Sequence, residues 1–319
     1  MKPKKSFKDL KGLHSRIAPT PSGYLHLGNI LSFLLTWVFV KKSGGTLTLR
    51  IDDFDQSRVR DSFIIDIFDS LDWLGLGFDR GPKDLADHKK NYSQIASSAS
   101  YLDFLKEHYP NFFYACECTR KQIDSRSESG IYDRRCKELS LPITEGEHSW
   151  RFNSGNARIA LKDIWGSEYH YQCDDFVLKR SDGVAGYHLV SLMEDVKLGI
   201  NFIVRGHDLL DSSASQLALA GALNQGPFLN TLFFHHAMVV ESGQKLAKSK
   251  KSTCLNELRK RGLTCCDVFA LMANMLKLEN PGDFKSASDF LALELQDYHG
   301  ISYDNDSIEL DQTTIPSIL

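Results

Sequence analysis

Residues 14–52 read HSRIAPTPSGYLHLGNILSFLLTWVFVKKSGGTLTLRID. The opening HSRIA has the pattern of a short strand, and TLTLRID (46–52) is a β-branched run typical of a strand buried on both faces. Between them, the loop PTPSGYLHLGN leads into a helix over 30–42 that is apolar on most faces and stops at a glycine pair. A strand, a helix and a second strand within about 40 residues predict a βαβ unit and hence a parallel sheet.

The composition is that of a folded protein with a nearly balanced charge. Of the 319 residues, 42% are hydrophobic, which is enough for a sizeable core and argues against disorder. Lysine and arginine number 38 and aspartate and glutamate 41, for a formal charge of −3. This balance excludes a uniformly basic nucleic-acid coat protein but not a local basic patch. The length suggests about two domains.

Cysteine usage and the N-terminus indicate the compartment. Seven cysteines, an odd number in a chain this long, do not make a disulfide framework and indicate a reducing environment. The N-terminal MKPKKSFKDLKG is basic but lacks the apolar segment of a secretory signal. The most apolar run, residues 30–40, is too short to span a membrane. We therefore expect a cytoplasmic protein with no membrane association.

The predicted secondary-structure pattern changes along the chain. Regular α/β patterning is interrupted by a stretch with scattered cysteines, short strands and turns, which is typical of an insertion. The last part is mostly helical. The division predicted from these changes comprises a basic tail (1–13), the first half of a catalytic domain (14–109), an insertion (110–175), the second half (176–250) and a C-terminal helical region (251–319).

Two short motifs carry the candidate chemistry. His26, Gly28 and Asn29 stand where the first helix begins, and unpaired N–H groups and the helix dipole attract phosphate there. Lys245 and Lys248 follow a strand and a glycine turn, and they can neutralise a triphosphate as charge builds at its α-phosphorus. Alone, the first motif reads as a turn with a solvated histidine and the second as a solvated charged run.

Taken together, these motifs resemble those of a known family. RIAPTPSGYLHLGN (16–29) resembles the HIGH signature of class I aminoacyl-tRNA synthetases in its glutamate-specific form, and KLAKS (245–249) resembles the KMSKS loop of that family. RIDDFDQSR (50–58) resembles its R-I-E-D-x-D-x-x-R strand end. FVLKRSDGVAGYHL and VRGHD, further along, resemble its amino-acid pocket strands. The resemblance covers most of 14–280 and implies an α/β fold, a Rossmann-like parallel-sheet catalytic domain that uses ATP with Mg²⁺.

The resemblance also implies roles for individual residues. Three of the implied residues have the chemistry that a glutamate site needs. The Arg205 guanidinium can bind one carboxylate through two hydrogen bonds, Arg16 can bind the other carboxylate, and Asp52 can pair with the α-ammonium group. A sheet-end ion pair for Arg205 and a core aromatic for Tyr187 are the structural alternatives. The implied residues are Arg16, Ile17, Ala18, Pro19, Thr20, Asp52, Tyr187 and Arg205 for glutamate, His26, Gly28, Asn29 and Lys248 for ATP, and His26, Asn29, Lys245 and Lys248 for catalysis.

Three residues depart from the family pattern. Asn29 replaces the second histidine of the HIGH signature, Asp52 stands where the family has glutamate, and Ala247 stands where serine is usual. Asparagine can still donate a hydrogen bond, and aspartate keeps the charge one methylene shorter. Together the three changes leave open a catalytically degenerate paralogue.

The insertion holds a candidate metal site. Cys116 and Cys118 bring two thiolates to one point, and Cys136, 18 residues on, can close a tetrahedral zinc site. The alternative is that these are buried, small apolar residues. With Tyr132, the set resembles the zinc segment of one subgroup of the family, the glutamyl-Q tRNA(Asp) synthetases, in which the phenol is the fourth ligand. The resemblance therefore implies one zinc ion per chain, held by Cys116, Cys118, Tyr132 and Cys136.

The length after the second motif favours the same subgroup. Only 70 residues follow Ser249, which is enough for a helical stub but not for the anticodon-binding domain of a full glutamyl-tRNA synthetase. The resemblance implies activation of L-glutamate with ATP and transfer to queuosine in the anticodon arm of tRNA(Asp). Two alternatives stay open: a shortened glutamyl-tRNA synthetase that charges the 3′ end of tRNA, and a non-catalytic RNA-binding paralogue.

The second motif yields a direct test. Lys248→Ala is expected to slow glutamyl-adenylate formation at least about 100-fold, the scale for losing one preorganised donor to a transition state. Glutamate-dependent ATP–pyrophosphate exchange measures the rate, and glutamate binding without ATP should change little. Lys250→Ala, which removes a neighbouring charge, is the control. An unimpaired exchange rate in Lys248→Ala would remove this lysine from the mechanism.

Overall fold

The computed structural model describes residues 6–127, 131–143, 148–241, 244–245, 254–301 and 307–309. The helices are α1 (Leu27–Lys42), α2 (Asp61–Trp73), α3 (Leu85–Asp87), α4 (Ile95–His108), α5 (Arg120–Asp124), α6 (Arg135–Glu138), α7 (Tyr187–Lys197), α8 (Leu210–Ala222), α9 (Leu255–Lys260) and α10 (Cys265–Met275). The strands are β1 (His14–Ile17), β2 (Thr46–Leu49), β3 (Phe113–Cys116), β4 (Ser149–Phe152), β5 (Arg158–Lys162), β6 (Glu168–Gln172), β7 (Val177–Lys179), β8 (Phe202–Gly206), β9 (Leu232–His236), β10 (Val239–Glu241), β11 (Gln244–Lys245) and β12 (Ile308–Glu309). Short segments of 3₁₀ helix cover Phe7–Asp9, Pro110–Phe112, His207–Leu209, Phe228–Asn230, Pro281–Asp283, Ala287–Ala292 and Leu295–Ile301, and a π turn covers His88–Tyr92.

Two parallel strand pairs form the centre of the fold. Strand β1 pairs in parallel with β2, and β8 pairs in parallel with β9. The two pairs meet where the Ser15 hydroxyl donates to the Phe202 carbonyl at 2.7 Å and the Asn201 N–H donates to the His14 carbonyl at 3.0 Å. The parallel pairing predicted from residues 14–52 is confirmed.

Helix α1 links β1 to β2 and is almost wholly buried. Its side chains from Ile30 to Val40 are buried except at Ser32, as expected for a helix that is apolar all round. The chain leaves it through Gly44, whose φ of +63° favours glycine. At Gly45, a Cβ would lie 1.9 Å from the Leu13 carbonyl oxygen. The glycine pair is therefore required both by backbone conformation and by close approach to the neighbouring strand.

Both ends of the described chain differ from the sequence-based division. Residues 1–5 lie outside the described part, but Phe7, Leu10 and Leu13 are buried in the main core, so this half of the expected tail is packed. At the other end, α9 and α10 form as expected, whereas Pro281–Ile301 contains 3₁₀ segments in place of α-helix. Tyr298 from this segment is fully buried. Phe7 and Tyr298, near the two ends of the described chain, both pack against Phe39 of α1.

The insertion shares a core with the surrounding domain. Strands β3, β4 and β7 form one antiparallel sheet, although the predicted boundary at 175/176 separates β7 from the other two. The hairpin of β5 and β6 is a separate two-stranded sheet. Side chains of these strands pack in one hydrophobic cluster with α4, α7 and α8. Among the described helices, none combines the length and apolar character that crossing a membrane would need.

Phe39 connects the parts of the main core. Its ring contacts those of Phe7, Phe202, Phe234 and Tyr298, with centroid separations between 5.1 and 5.6 Å. It therefore joins the N-terminal turn, α1, both central strands β8 and β9, and the C-terminal coil.

Phe39→Ala is expected to lower the free energy of unfolding by about 3–5 kcal/mol, because it removes a fully buried ring and leaves a cavity. Urea unfolding followed by circular dichroism measures the change. Ile65→Ala, at a side chain that is 45% exposed on α2, is the control and should cost no more than about 0.5 kcal/mol. A loss at Phe39 as small as that would show that the two ends of the chain are not held through this ring.

Candidate active site

The N-terminus of α1 is closed by two residues of the first motif. His26 is the N-cap residue: its Nδ1 accepts a hydrogen bond from the Asn29 N–H at 3.2 Å, and Asn29 Oδ1 accepts one from the His26 N–H at 3.1 Å. Each side chain thus satisfies a backbone N–H of the other. Asn29, at the position of the second histidine in the HIGH signature, is therefore a capping residue.

Gly28 allows this cap to form. A Cβ at residue 28 would lie 3.1 Å from His26 Nδ1 and 3.2 Å from its Cε1, closer than side-chain carbons normally approach. Glycine therefore leaves room for the His26 ring across the first turn of α1. The ring stands at the positive end of the helix dipole, where an anionic phosphate is favoured.

The lysine loop starts and ends beside α1. Lys245 ends β11, which pairs with β10, while its side chain and the whole of Lys248 lie outside the described residues. The chain returns at Cys254, which forms an antiparallel bridge with His26. The next residue, Leu255, donates its N–H to the Leu25 carbonyl at 2.7 Å. The fold therefore brings Cys254 and Leu255, which follow the second motif in the chain, against the first motif.

A cavity of about 120 Å³ lies next to the capped end of α1. Roughly 10–15 Å³ measured this way holds one water molecule, so there is room for a ligand of amino-acid size. Pro19 and Thr20 lie in the loop after β1, outside the lining, and the Pro19 carbonyl accepts a hydrogen bond from the Asp52 N–H at 2.9 Å. The cavity is lined by Arg16, Ile17, Ala18, Asn29, Ser32, Phe33, Thr36, Arg50, Asp52, Tyr187, Val204, Arg205, Gly206 and Leu209.

Buried charges surround the cavity. Arg16, Arg50 and Arg205 are all at least 94% buried, and so are the carboxylates of Asp52 and Asp195. Arg50 binds both carboxylates: its Nε and Nη2 donate to Asp52 at 2.7 and 3.1 Å, and its Nη1 donates to Asp195 at 2.6 Å. Burial opposes ionisation of Arg50, but Asp195 and Asp52 overcome it and raise its pKa. Of the described residues that line the cavity, three are positive (Arg16, Arg50 and Arg205) and one is negative (Asp52), while Asp195 lies behind the lining and pairs with Arg16 and Arg50.

Arg205 carries the unbalanced charge. Its Nη1 donates to Gln216 Oε1 at 2.7 Å and to the Ser213 hydroxyl at 3.1 Å, both uncharged acceptors. Burial, and the repulsion of the other two arginines, lower the pKa of the Arg205 guanidinium. Burial, followed by the charge of Arg205, also lowers the pKa of His188 to about 4 and that of His235 well below its usual value. Both histidines are therefore neutral at neutral pH and add no charge here.

Asp52 is held from its other side by the start of α4. Gln94 Nε2 donates to Asp52 Oδ1 at 2.8 Å, and the Gln94 N–H donates to Asp53 Oδ1 at 2.7 Å. The second oxygen of Asp53 accepts from the Ser93 hydroxyl at 2.8 Å and lies 3.0 Å from His88 Nε2. Burial by itself would raise the pKa of Asp53, but these hydrogen bonds outweigh burial and lower that pKa. The aspartate pair thus fastens the 88–94 loop to the end of β2.

Sequence reasoning missed three residues of this network: Arg50, Gln94 and Asp195. Arg50 lies in the quoted RIDDFDQSR string and carried a usable signal, namely a charged residue directly after a buried strand. Asp195 carried another, since Tyr187, Ser191 and Asp195 are spaced by four and lie on one face of α7. Gln94 offered none, because its contact with Asp52 depends on how α4 packs.

The cysteines of the insertion form a second cluster. The Sγ atoms of Cys116, Cys118 and Cys136 all lie within 4.8 Å of one another. The Tyr132 hydroxyl lies 3.3 Å from Cys116 Sγ and accepts a hydrogen bond from the Cys136 N–H at 3.0 Å. Ligands of tetrahedral zinc are separated by roughly 3.8 Å for a Zn–S bond of about 2.3 Å. The structure thus brings the four predicted ligands together at nearly metal-binding distances.

Two arginines accompany the cluster. Arg151 is buried, donates from Nε to Cys116 Sγ at 3.2 Å, and places its guanidinium 3.8 Å from the centre of the Tyr132 ring. Arg126 donates to Cys118 Sγ at 3.3 Å. A guanidinium beside a thiol favours the thiolate, which is the form that binds metal.

The chain is similar to known proteins over most of its length. The family model "tRNA synthetases class I (E and Q), catalytic domain" matches residues 12–274. The chain is 32% identical to a glutamyl-Q tRNA(Asp) synthetase of Prochlorococcus marinus (strain MIT 9313), covering 91% of this chain and 90% of that protein. It is 34% identical to the protein of the same name from Synechococcus sp. (strain CC9605), covering 88% of each.

Longer relatives match as well. Glutamate–tRNA ligase 2 of Cereibacter sphaeroides (strain ATCC 17029) is 32% identical over 87% of this chain and 64% of its own length. Among solved structures, the glutamate–tRNA synthetase of Elizabethkingia anophelis superposes with a TM-score of 0.73 at 22% identity, covering 95% of this chain and 69% of that one. The expected α/β architecture of a class I catalytic domain is confirmed.

Proposed function

Because the chain belongs to the glutamate and glutamine group of class I tRNA synthetases, we propose that it activates L-glutamate with ATP and transfers the glutamyl group to queuosine in the anticodon of tRNA(Asp). At the coarser level, it is a ligase with glutamyl-tRNA synthetase-like activity. The substrate amino acid and the RNA acceptor are supported by different observations.

The net charge around the cavity is the observation that favours glutamate as the amino-acid substrate. Three arginines stand against the two carboxylates of Asp52 and Asp195, and the excess charge lies nearest Arg205, whose Nη1 donates to uncharged acceptors and whose Nη2 is 3.9 Å from Asp195 Oδ2. Glutamate has two carboxylates and one ammonium group, for a net charge of −1, so its binding neutralises the cavity. Glutamine would leave a buried positive charge uncompensated, which is costly. We assign one carboxylate to Arg205, the other to Arg16 and the ammonium group to Asp52.

The chemistry needs no nucleophile from the protein. The α-carboxylate oxygen attacks the α-phosphorus of ATP, the bond to the β-phosphate breaks, and pyrophosphate leaves with the electron pair. A hydroxyl of the queuosine cyclopentene-diol then attacks the glutamyl carbonyl, loses its proton, and AMP leaves. Mg²⁺ bound with ATP neutralises phosphate charge. The protein positions the reactants and stabilises charge, and we assign the N-terminus of α1, at His26 and Asn29, and the two motif lysines, Lys245 and Lys248, to the phosphates.

Similarity and surface charge support the acceptor. The chain spans 88–90% of the two relatives named glutamyl-Q tRNA(Asp) synthetase, against 64% of the glutamate–tRNA ligase. Exposed basic side chains surround the cysteine cluster, where they can contact phosphates. They are Arg120, Lys121, Arg135 and Lys137.

The cysteine cluster is the place for a metal, and we propose that it binds one zinc ion. The donor set fits: three sulfurs lie within 4.8 Å of one another, and a phenol oxygen lies 3.3 Å from one of them. The guanidinium groups of Arg126 and Arg151 offset the negative charge that three thiolates bring. Bound zinc would stabilise the fold of the insertion.

Elemental analysis of protein purified without added metal or chelator tests the zinc proposal. About one zinc per chain is expected, and Cys118→Ser should lower this content and the thermal stability, because it removes one of three thiolates. Cys266→Ser, at an exposed cysteine on α10, is the matched control and should change neither. A zinc-free wild-type protein that is fully folded would reduce these cysteines to packing residues.

The acceptor is tested with labelled glutamate and tRNA(Asp) whose 3′ terminal adenosine has been removed. Labelling should survive trimming and disappear when the tRNA lacks queuosine, because the proposed acceptor lies in the anticodon. Labelled glutamine and aspartate are controls for the charge of the cavity.

Each other outcome identifies a rival. If trimming abolishes labelling and queuosine makes no difference, the chain is a shortened glutamyl-tRNA synthetase. If glutamate supports neither labelling nor ATP–pyrophosphate exchange, it is a non-catalytic paralogue that keeps the fold.

A further inference from the structure

We propose that Asp195 is a positioning residue for glutamate, whose buried carboxylate holds the guanidinium groups of Arg16 and Arg50 at the back of the cavity. The inference rests on the proposed glutamate site and extends it to a residue outside the cavity lining. Asp195 touches no substrate in this scheme and acts through the two arginines.

Asp195 faces three arginines that come from three different parts of the sheet. Its Oδ1 accepts from Arg16 Nε at 2.8 Å and from Arg50 Nη1 at 2.6 Å. Arg205 Nη2 is 3.9 Å from Oδ2. Arg16 belongs to β1, Arg50 follows β2 directly, and Arg205 belongs to β8. The strands fix only the Cα positions of these arginines. The Asp195 carboxylate therefore determines how their guanidinium groups are placed relative to one another.

Helix α7 explains how the carboxylate reaches this place. Tyr187 lines the cavity at the start of the helix. One turn later, the Ser191 hydroxyl accepts from Arg50 Nη2 at 3.2 Å, and a further turn later stands Asp195. Side chains at this spacing share one helix face. This face of α7 therefore extends from Tyr187 in the cavity wall to Asp195 behind the wall.

The use of Nε at Arg16 matters for binding. A guanidinium has three nitrogens in one plane, so a hydrogen bond from Nε fixes that plane and leaves the two terminal nitrogens as the fork for a ligand carboxylate. Arg50 is fixed in a similar way between Asp195 and Asp52, and it holds Asp52 in turn. Loss of Asp195 would free both guanidinium groups to turn towards other acceptors, Asp52 included.

For the effect of Asp195→Asn on glutamate binding, a role in positioning and a role in charge balance predict opposite results. Replacing Asp195 by asparagine adds a positive charge near the cavity, which by itself would tighten glutamate binding. If the carboxylate acts by positioning, binding weakens instead, because binding groups must be held to within about 0.5 Å. A purely structural role would lower the folded fraction without changing the KM of the molecules that remain folded.

The experiment measures KM and kcat for glutamate and for ATP by pyrophosphate exchange, together with glutamate binding in the absence of ATP. Asp195→Asn is expected to raise the glutamate KM and the dissociation constant at least 10-fold, with the ATP KM changed less than about 2-fold. Asp195→Glu keeps the charge and should recover part of the loss. Glu194→Gln is the matched control: this neighbour is equally buried but binds Tyr101 and Ser97, not the arginines.

A double variant separates a positioning role of Asp195 from a general effect of the substitution on folding. Arg16→Gln with Asp195→Asn removes one charge of each sign and so keeps the excess at one positive unit. If Asp195 acts through Arg16, the combined rise in glutamate KM should be clearly smaller than the product of the two single effects. A glutamate KM unchanged or lowered in folded Asp195→Asn, or fully multiplicative effects in the double variant, would overturn the proposal. Absence of exchange in the wild type would instead overturn the proposed function.

Discussion

The carboxylate of Asp195 lies fully buried between Arg16 and Arg50, and the arrangement of the site depends on this contact. From it, hydrogen bonds lead through Arg50 to Asp52 and on to Gln94 at the start of α4. The network thereby joins the carboxyl ends of β1 and β2 to α7 and α4. Each of these elements also packs through apolar side chains, but the polar contacts determine where the charged groups stand.

Such a network is costly to bury, and the rest of the fold has to offset that cost. Desolvating an ion is unfavourable unless it is paired with good geometry. The side chains of Arg16, Arg50, Arg205, Asp52 and Asp195 are almost wholly buried, and three of these five are positive. The two large hydrophobic clusters on either side supply the stabilising burial. An uncompensated charge is poor for stability and useful for binding an anion, which is the expected compromise at a functional site.

The end of the site at the N-terminus of α1 is held in a different way. There, hydrogen bonds to backbone groups do most of the positioning: the side chains of His26 and Asn29 accept from each other's N–H groups, and Cys254 forms a backbone bridge with His26. The β10–β11 hairpin leads into the lysine loop, and β12 pairs with the other side of β10. Backbone pairing therefore anchors both ends of a loop whose lysines are expected to approach the phosphates. The departure at Asn29 keeps the cap, so it does not by itself argue against nucleotide binding.

Local pattern was sufficient to predict the βαβ unit of residues 14–52, because periodicity acts between near neighbours. The gathering of Cys116, Cys118, Tyr132 and Cys136 was predicted through the family resemblance, since the cysteine spacing alone also fits buried packing residues. The resemblance of the motifs also led to seven of the fourteen residues that line the cavity. Only the tertiary structure showed that Asp195 stands behind that lining, that β7 pairs with the insertion, and that Phe7 is buried. Each of these depends on contacts between residues far apart in sequence. Such contacts follow from how whole elements pack, and a buried acid or a packed tail has no local signature that separates it from an exposed one.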